Sequence, residues 1–163
     1  MMDYTTKRAI EAMRPLFKAE ERSFDSHRFG ISLPALNYGS YLMGRELRSE
    51  LTSKSLAMIG GPDQPLLTAF ALRWLTLEAV NLFSIVGGFL IGGSPYEGRG
   101  VVLLMTAPDQ RQIGEALRVC QGAKLVPLRV ATLVDMISDD PPSRIPVCHG
   151  VPFTAALHWS QLL

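Results

Sequence analysis

Between residues 51 and 95 the chain carries only four charged side chains, Lys54, Asp63, Arg73 and Glu78. The fifty residues before that stretch carry eight basic and seven acidic ones. Charged groups are rarely buried without partners. A segment this poor in them is therefore one that a domain, a partner or lipid can cover, and it limits the fold more than any other feature. At least one element within it must be apolar on most of its surface.

The clearest such element is a helix. Asp63 is placed to cap it, Pro65 suits its first turn, and residues 66–83 are apolar on most sides. Arg73, Asn81 and Ser84 share one narrow face, flanked by Thr76 and Glu78. The spacing predicts a buried central helix over about 64–84. Residues 85–91 and 101–105 are short apolar runs with β-branched members on either side of a Gly/Pro loop, which predicts two adjacent strands forming a hairpin. Their apolarity is continuous rather than alternating, so both faces of the sheet are expected to be covered.

The flanking segments read more conventionally. Ile10, Met13 and Phe17 predict a first helix from Thr5 to about Arg22, capped by Thr5 or Thr6 and interrupted by Pro15. Residues 24–37 read as extended or irregular. Met43, Leu47 and Leu51 predict a second helix over about 40–53, and Gly60-Gly61-Pro62 breaks the chain after it. Thr106-Ala107-Pro108-Asp109 opens a further helix with capping-box-like spacing; Ile113, Ala116, Leu117 and Cys120 form its inner stripe and Gly122 its end. Residues 125–134 fit both periods, and the alternation of Val130, Thr132 and Val134 makes a strand the expectation. Residues 139–163 form a Pro-punctuated tail that ends in a short helix from Pro152. The fold expected is one α+β (or α/β) domain over residues 1–163, with N-terminal helices, the buried central helix, and a small sheet with a packed helix.

Charge and cysteine usage narrow the function. Sixteen basic against fifteen acidic residues give a formal charge of +1. Nucleic-acid binding, whose affinity comes largely from neutralised phosphates, is therefore not favoured. The N-terminus lacks a basic region followed by an apolar run, so the two cysteines, Cys120 and Cys148, read as reduced thiols of a cytoplasmic protein. Cys148, His149 and His158 cluster in sequence without the Cys-x-x-Cys or His-x-x-x-His spacing of a metal site. No metal, cofactor or catalytic residue is predicted, since Gly-x-Ser-x-Gly and His-Glu-x-x-His are also absent.

These features lead to a main expectation and two alternatives. Charged residues make up 19% of the chain, against about 25% in ordinary soluble domains. Apolar surface left over once a small core is filled tends to be covered by a partner. The main expectation is thus a non-catalytic assembly or adaptor subunit, a structural protein that binds a protein partner or its own copies. Arg73, Phe89, Tyr96, Arg99 and Trp159 are of the residue types that anchor interfaces. The first alternative is a small-molecule or nucleotide-binding enzyme using the Gly-rich loop 92–100. In that reading Gly93, Ser94, Gly98 and Arg99 hold an anion and Glu78 acts as acid/base. The loop lacks the Gly-Lys-Ser/Thr ending of a P-loop and runs into a strand, which also fits a simple hairpin loop. The second alternative is a membrane-associated subunit, suggested by Gly88-x-x-x-Gly92 and opposed by Arg73, Glu78 and Asn81.

Overall fold

Val101, Val102, Leu103, Leu104 and Met105 are each at most 1% exposed, so both sides of this run are covered. The computed structural model that shows this describes residues 1–47, 55–59, 63–74, 82–86, 89–91, 98, 100–139 and 147–163. It opens with helix α1 (Tyr4–Met13), a 3-10 turn (Arg14–Leu16), a small hairpin of β1 (Phe17–Lys18) and β2 (Ser23–Phe24), then helices α2 (Ser26–Ile31) and α3 (Leu33–Leu47). There follow β3 (Ser55–Ile59), α4 (Gln64–Trp74), β4 (Leu82–Val86), β5 (Phe89–Ile91), β6 (Gly100–Met105) and α5 (Gln110–Gly122). The chain continues with β7 (Val126–Asp135), β8 (Val147–Cys148) and β9 (Val151–His158), and a closing 3-10 turn (Trp159–Leu162).

The main sheet has the order β5-β4-β3-β6-β7-β9-β8. Strands β4, β3, β6, β7 and β9 run parallel, while β5 and β8 lie antiparallel at the two edges. Parallel neighbours need a crossover, and helices supply it on both faces. Alternate side chains of β6 divide accordingly. Val102 and Leu104 pack with Leu66 and Phe70 of α4, Leu42 and Met43 of α3, and Met13 of α1. Val101, Leu103 and Met105 pack with Ile113 and Leu117 of α5 and Ile85 of β4. The continuous apolarity read from the sequence thus has the expected cause, two covered faces.

Several local expectations change. Asp3, not Thr5 or Thr6, caps α1; its carboxylate accepts from the Thr6 N–H at 2.9 Å and the Thr6 hydroxyl at 2.7 Å. Those bonds, with Arg45 at 2.7 Å, hold the Asp3 carboxyl far below the usual carboxylate range. The first helix stops at Met13, because Pro15 permits only a 3-10 turn before the chain extends. Residues 26–31 and 33–37, expected irregular, are helical in α2 and α3. The helix expected over 64–84 overruns: it is α4 to Trp74, and Leu82 to Ser84 belong to β4. The hairpin predicted between residues 85–91 and 101–105 does not form: the first run is itself split into β4 and β5, which pair with each other, and β6 lies in parallel between β3 and β7. Capping of α5 falls to Asp109 with Gln112, not to Thr106 with Asp109. The short helix expected from Pro152 is strand β9, paired in parallel with β7. A His149-Gly150 turn with φ of +50° and +79° reverses the chain into it, as a two-residue hairpin requires.

Helix α3 sits close on β7. A Cβ placed on Gly39 would lie 2.9 Å from Leu133 Cδ2 and 3.3 Å from Phe29 Cζ, so only glycine lets the helix approach this far. Leu133 is fully buried beneath that contact. Leu133→Ala is expected to lower the unfolding free energy by about 2–5 kcal/mol in urea titrations. A loss well under about 1 kcal/mol would show that α3 does not clamp β7.

Candidate functional site

The C-terminal ends of parallel strands all lie at one edge of a sheet, and the order in which the chain adds them can switch from one side to the other. After β3 the chain crosses to β4 on one side, and β6 then starts the series on the opposite side. Such a reversal leaves a crevice beyond the strand ends, where open α/β sheets generally bind small molecules. In this protein it lies between the ends of β3 and β6.

The crevice is bridged by a side chain that the sequence reading assigned to a helix cap. Asp63, four residues past β3, is 8% exposed, and its Oδ1 accepts the Thr106 N–H at 2.7 Å. Thr106 follows β6 directly and is fully buried, and its carbonyl accepts the Val134 N–H at 2.9 Å. Burial pushes the Asp63 carboxyl above its ordinary 3.8, and the hydrogen bonding to Thr106 only partly opposes that. A carboxyl held this way can keep a proton at a pH where an exposed one would lose it. Next to it, Pro108 is buried and Asp109 caps α5 at the surface.

Further along the same edge stand Asp135 and His158, register partners at the ends of β7 and β9. Asp135 is fully buried and accepts the N–H groups of Ile137 at 2.9 Å and Ser138 at 3.1 Å. The Nδ1 of His158 accepts the Ser160 N–H at 3.2 Å, which places the ring proton on Nε2, where it donates to the Ser138 carbonyl at 3.1 Å. That carbonyl also accepts the Trp159 indole N–H at 2.8 Å and Arg22 Nη2. The Arg22 guanidinium lies 4.3 Å over the Trp159 ring and donates to Asp139 at 2.9 Å. These contacts fasten the β1–β2 hairpin to the ends of β7 and β9.

The residues singled out from sequence fall elsewhere. Trp159 packs within the chain against Phe17 and Arg22. Arg73 is exposed on α4, donates to Asn37 Oδ1 and lies 5.7 Å over Tyr41. It borders a groove of about 770 Å³ between α3 and α4, lined also by Leu33, Leu36 and Thr68, on the helical layer rather than at the strand ends. Phe89 stands in β5, while Glu78, Gly93, Ser94, Tyr96 and Arg99 lie outside the described residues. Gly98 donates its N–H to the Lys124 carbonyl at 2.7 Å, just before β7 starts, at the edge opposite the crevice. Cys120 and Cys148 are both buried free thiols. Burial pushes Cys120 up to about 11. Cys148 is raised by burial and then by the Asp135 charge. Neither is poised as a thiolate. Among the described residues no group of three or more His, Cys, Asp or Glu side chains could hold a metal ion, and no helix is long and apolar enough to cross a membrane. Asp63, Thr106 and Asp109 were visible in sequence only as cap residues. The usable signal was the apolar run, short turn and capped helix of residues 101–122, the outline of a ligand-bearing strand–turn–helix.

No protein-family model matches the chain, and no curated protein is similar to it. Solved structures are. The orotate phosphoribosyltransferase of Mycobacterium tuberculosis H37Rv in complex with inorganic phosphate superposes with a TM-score of 0.74 at 20% identity, over 98% of this chain and 99% of that one. In complex with 5-phospho-alpha-D-ribosyl 1-diphosphate (PRPP), the same enzyme superposes at 0.71 and 20% identity, over 94% and 96%. A phosphoribosyltransferase from Corynebacterium diphtheriae superposes at 0.72 and 17% identity, over 98% and 99%. At these identities the likeness is one of fold: the α/β fold of phosphoribosyltransferases. It overturns the expectation of a non-catalytic assembly or adaptor subunit, and with it the description as a structural subunit, because the proteins sharing this backbone end to end are enzymes. The physical premise of that expectation fails as well. Among the described residues of the apolar stretch, Leu66, Phe70, Ile85 and residues 101–105 are at most 5% exposed, enclosed by the chain's own helical layers.

The raised Asp63 carboxyl has a measurable consequence. Below 3.8 both folded and unfolded chains hold its proton, and stability is complete. Above that, the unfolded chain releases the proton first, so stability falls with rising pH until the folded carboxyl ionises, by up to about 1.4 kcal/mol per pH unit. Asp63→Asn keeps an acceptor for the Thr106 N–H and cannot ionise. Its urea midpoint is expected to fall less than that of wild type from about pH 4 upward. Identical pH slopes in the two proteins would show that Asp63 ionises as an exposed carboxyl does.

Proposed function

We propose that the chain is a small-molecule enzyme of nucleotide chemistry, acting on a substrate that carries a nucleobase or ribosyl group in the crevice between the ends of β3 and β6. The observation that carries this reading is the buried Asp63 carboxyl bonded to the Thr106 N–H at the strand reversal. An ionisable group in that position is worth its burial cost if it exchanges a proton with a substrate. The end-to-end likeness to transferases, one of them bound to PRPP, supports the substrate class. A cytoplasmic location fits an enzyme of this kind. In this scheme Asp63 is the acid/base, and Thr106 positions it through its backbone N–H.

A panel of nucleobases (orotate and adenine among them), their nucleosides and PRPP tests the reading. At least one member is expected to raise the thermal midpoint and to shift the Thr106 amide resonance. Asp63→Asn is expected to slow turnover of that compound by about 10²-fold or more, the usual cost of a lost general acid/base. If no member of the panel moves either the midpoint or the amide, the reading falls.

A further inference from the structure

The groove between α3 and α4, about 770 Å³, is of the size that takes a small molecule. Two contacts shape it. At one end a Cβ on Gly30 would lie 2.9 Å from Pro65 Cγ, so the chain just before α3 presses on the start of α4. At the other, Arg73 donates to Asn37 Oδ1 and lies 5.7 Å over the Tyr41 ring. The groove therefore has unlike ends: Leu33, 80% exposed, stands toward the first, and the Arg73 guanidinium closes the second. Among the described residues that line it, Arg73 is the one that carries a charge. Asn37 takes one of its N–H groups, and no carboxylate among the described residues forms an ion pair with it. Amide and ring hold the planar fork in one orientation, so an anion that binds there has little further ordering to impose.

We propose that this groove binds an apolar carboxylate, with its acid group on Arg73 and its hydrocarbon body along Leu36 toward Leu33. The lone cation calls for an anion, and a carboxylate matches the guanidinium fork with two parallel hydrogen bonds. The apolar lining calls for a hydrocarbon body, since a wholly polar anion would leave it wet. Size separates a small molecule from a protein. From Leu33 to Ser40 the groove follows α3 for about 11 Å, and neighbouring helices stand about 8–10 Å apart. A strip of that length and width is far below the ~800 Å² that each side of a stable protein interface needs. The site is separate from the crevice beside β6 and does not depend on the function proposed there.

Titration with decanoate, kept below the concentration at which it forms micelles, tests this through the backbone amide resonances. Saturable shifts are expected in α3 and α4, with the Thr106 amide left in place. Decylammonium has the same body and the opposite charge, and is expected to bind about tenfold more weakly or less. Octanoate is expected to bind roughly tenfold more weakly than decanoate, because each buried methylene is worth about fourfold. Arg73→Gln is expected to weaken decanoate about tenfold and to abolish the preference over decylammonium. Leu33→Glu, which sets a negative charge at the apolar end, is expected to weaken decanoate as well. Both side chains are exposed, so neither variant threatens the fold. The proposal is overturned by the absence of saturable shifts, by shifts spread beyond the two helices, by equal binding of the two decyl compounds, or by an unchanged affinity in Arg73→Gln. Shifts of the same amides on raising the protein concentration alone would put a second copy in the groove and overturn it too. Silence of the nucleobase panel leaves this result standing, because the two titrations read different residues.

Discussion

A strand buried on both faces cannot sit at the surface of a two-layer protein, and β6 is such a strand. Its five apolar residues from Val101 to Met105 need helices above and below, and its neighbours β3 and β7 must satisfy its backbone on either side. The rest of the architecture follows from that requirement. Parallel pairing demands crossovers; α4 carries one over the face it shares with α1 and α3, and α5 carries the other over the opposite face. Because the two crossovers leave the centre in opposite directions, the reversal and its crevice arise beside β6 rather than at an edge.

The chemistry of the crevice inherits this geometry. The end of a buried strand exposes a backbone N–H in a region with little water, and an unpaired donor there is costly. Asp63 satisfies the Thr106 donor, but the same dry surroundings raise the carboxyl's affinity for its proton. One hydrogen bond thus ties the chain after β3 to the end of β6 and leaves a carboxyl that holds its proton more tightly than an exposed one. Further along the same sheet edge, the ends of β7 and β9 are held by polar contacts of a different kind, the convergence of Arg22, His158 and Trp159 on the Ser138 carbonyl.

How much of this was legible depended on whether the decisive signal was local. The continuous apolarity of residues 101–105 correctly announced a strand covered on both faces, and the alternation of Val130, Thr132 and Val134 correctly favoured a strand. Strand β3 was missed, because Ser55–Ile59 is five residues long and sits beside a Gly-Gly-Pro break that reads as loop. The helix over 64–84 was drawn too long, because an apolar run does not reveal where helix gives way to strand. Residues 151–158 looked helical for the same reason, since Phe153 and Leu157 satisfy both periods; pairing with β7 decides the matter, and no local signal reports it. The assembly-subunit reading failed on a global quantity. It assumed that one small core leaves apolar surface over, whereas a sheet with two helical layers has two cores to fill. Asp63 was read as a helix cap because its partner Thr106 lies forty-three residues away.

The fastening at Ser138 bears on the order in which the molecule can be assembled. Arg22 reaches a carbonyl 116 residues further along, in a left-handed backbone conformation that aspartate, asparagine or glycine would adopt more readily. While the polypeptide emerges from a ribosome, the β1–β2 hairpin can pack Phe24 on Phe29 but lacks its contacts with Ser138 and Trp159 until those residues have been made. The parallel pairing of β7 with β9 likewise waits until residues 151–158 have been made. The nascent protein must carry its apolar middle through that interval with one flank of the sheet unpaired, a stage at which holding chaperones would find their strongest grip.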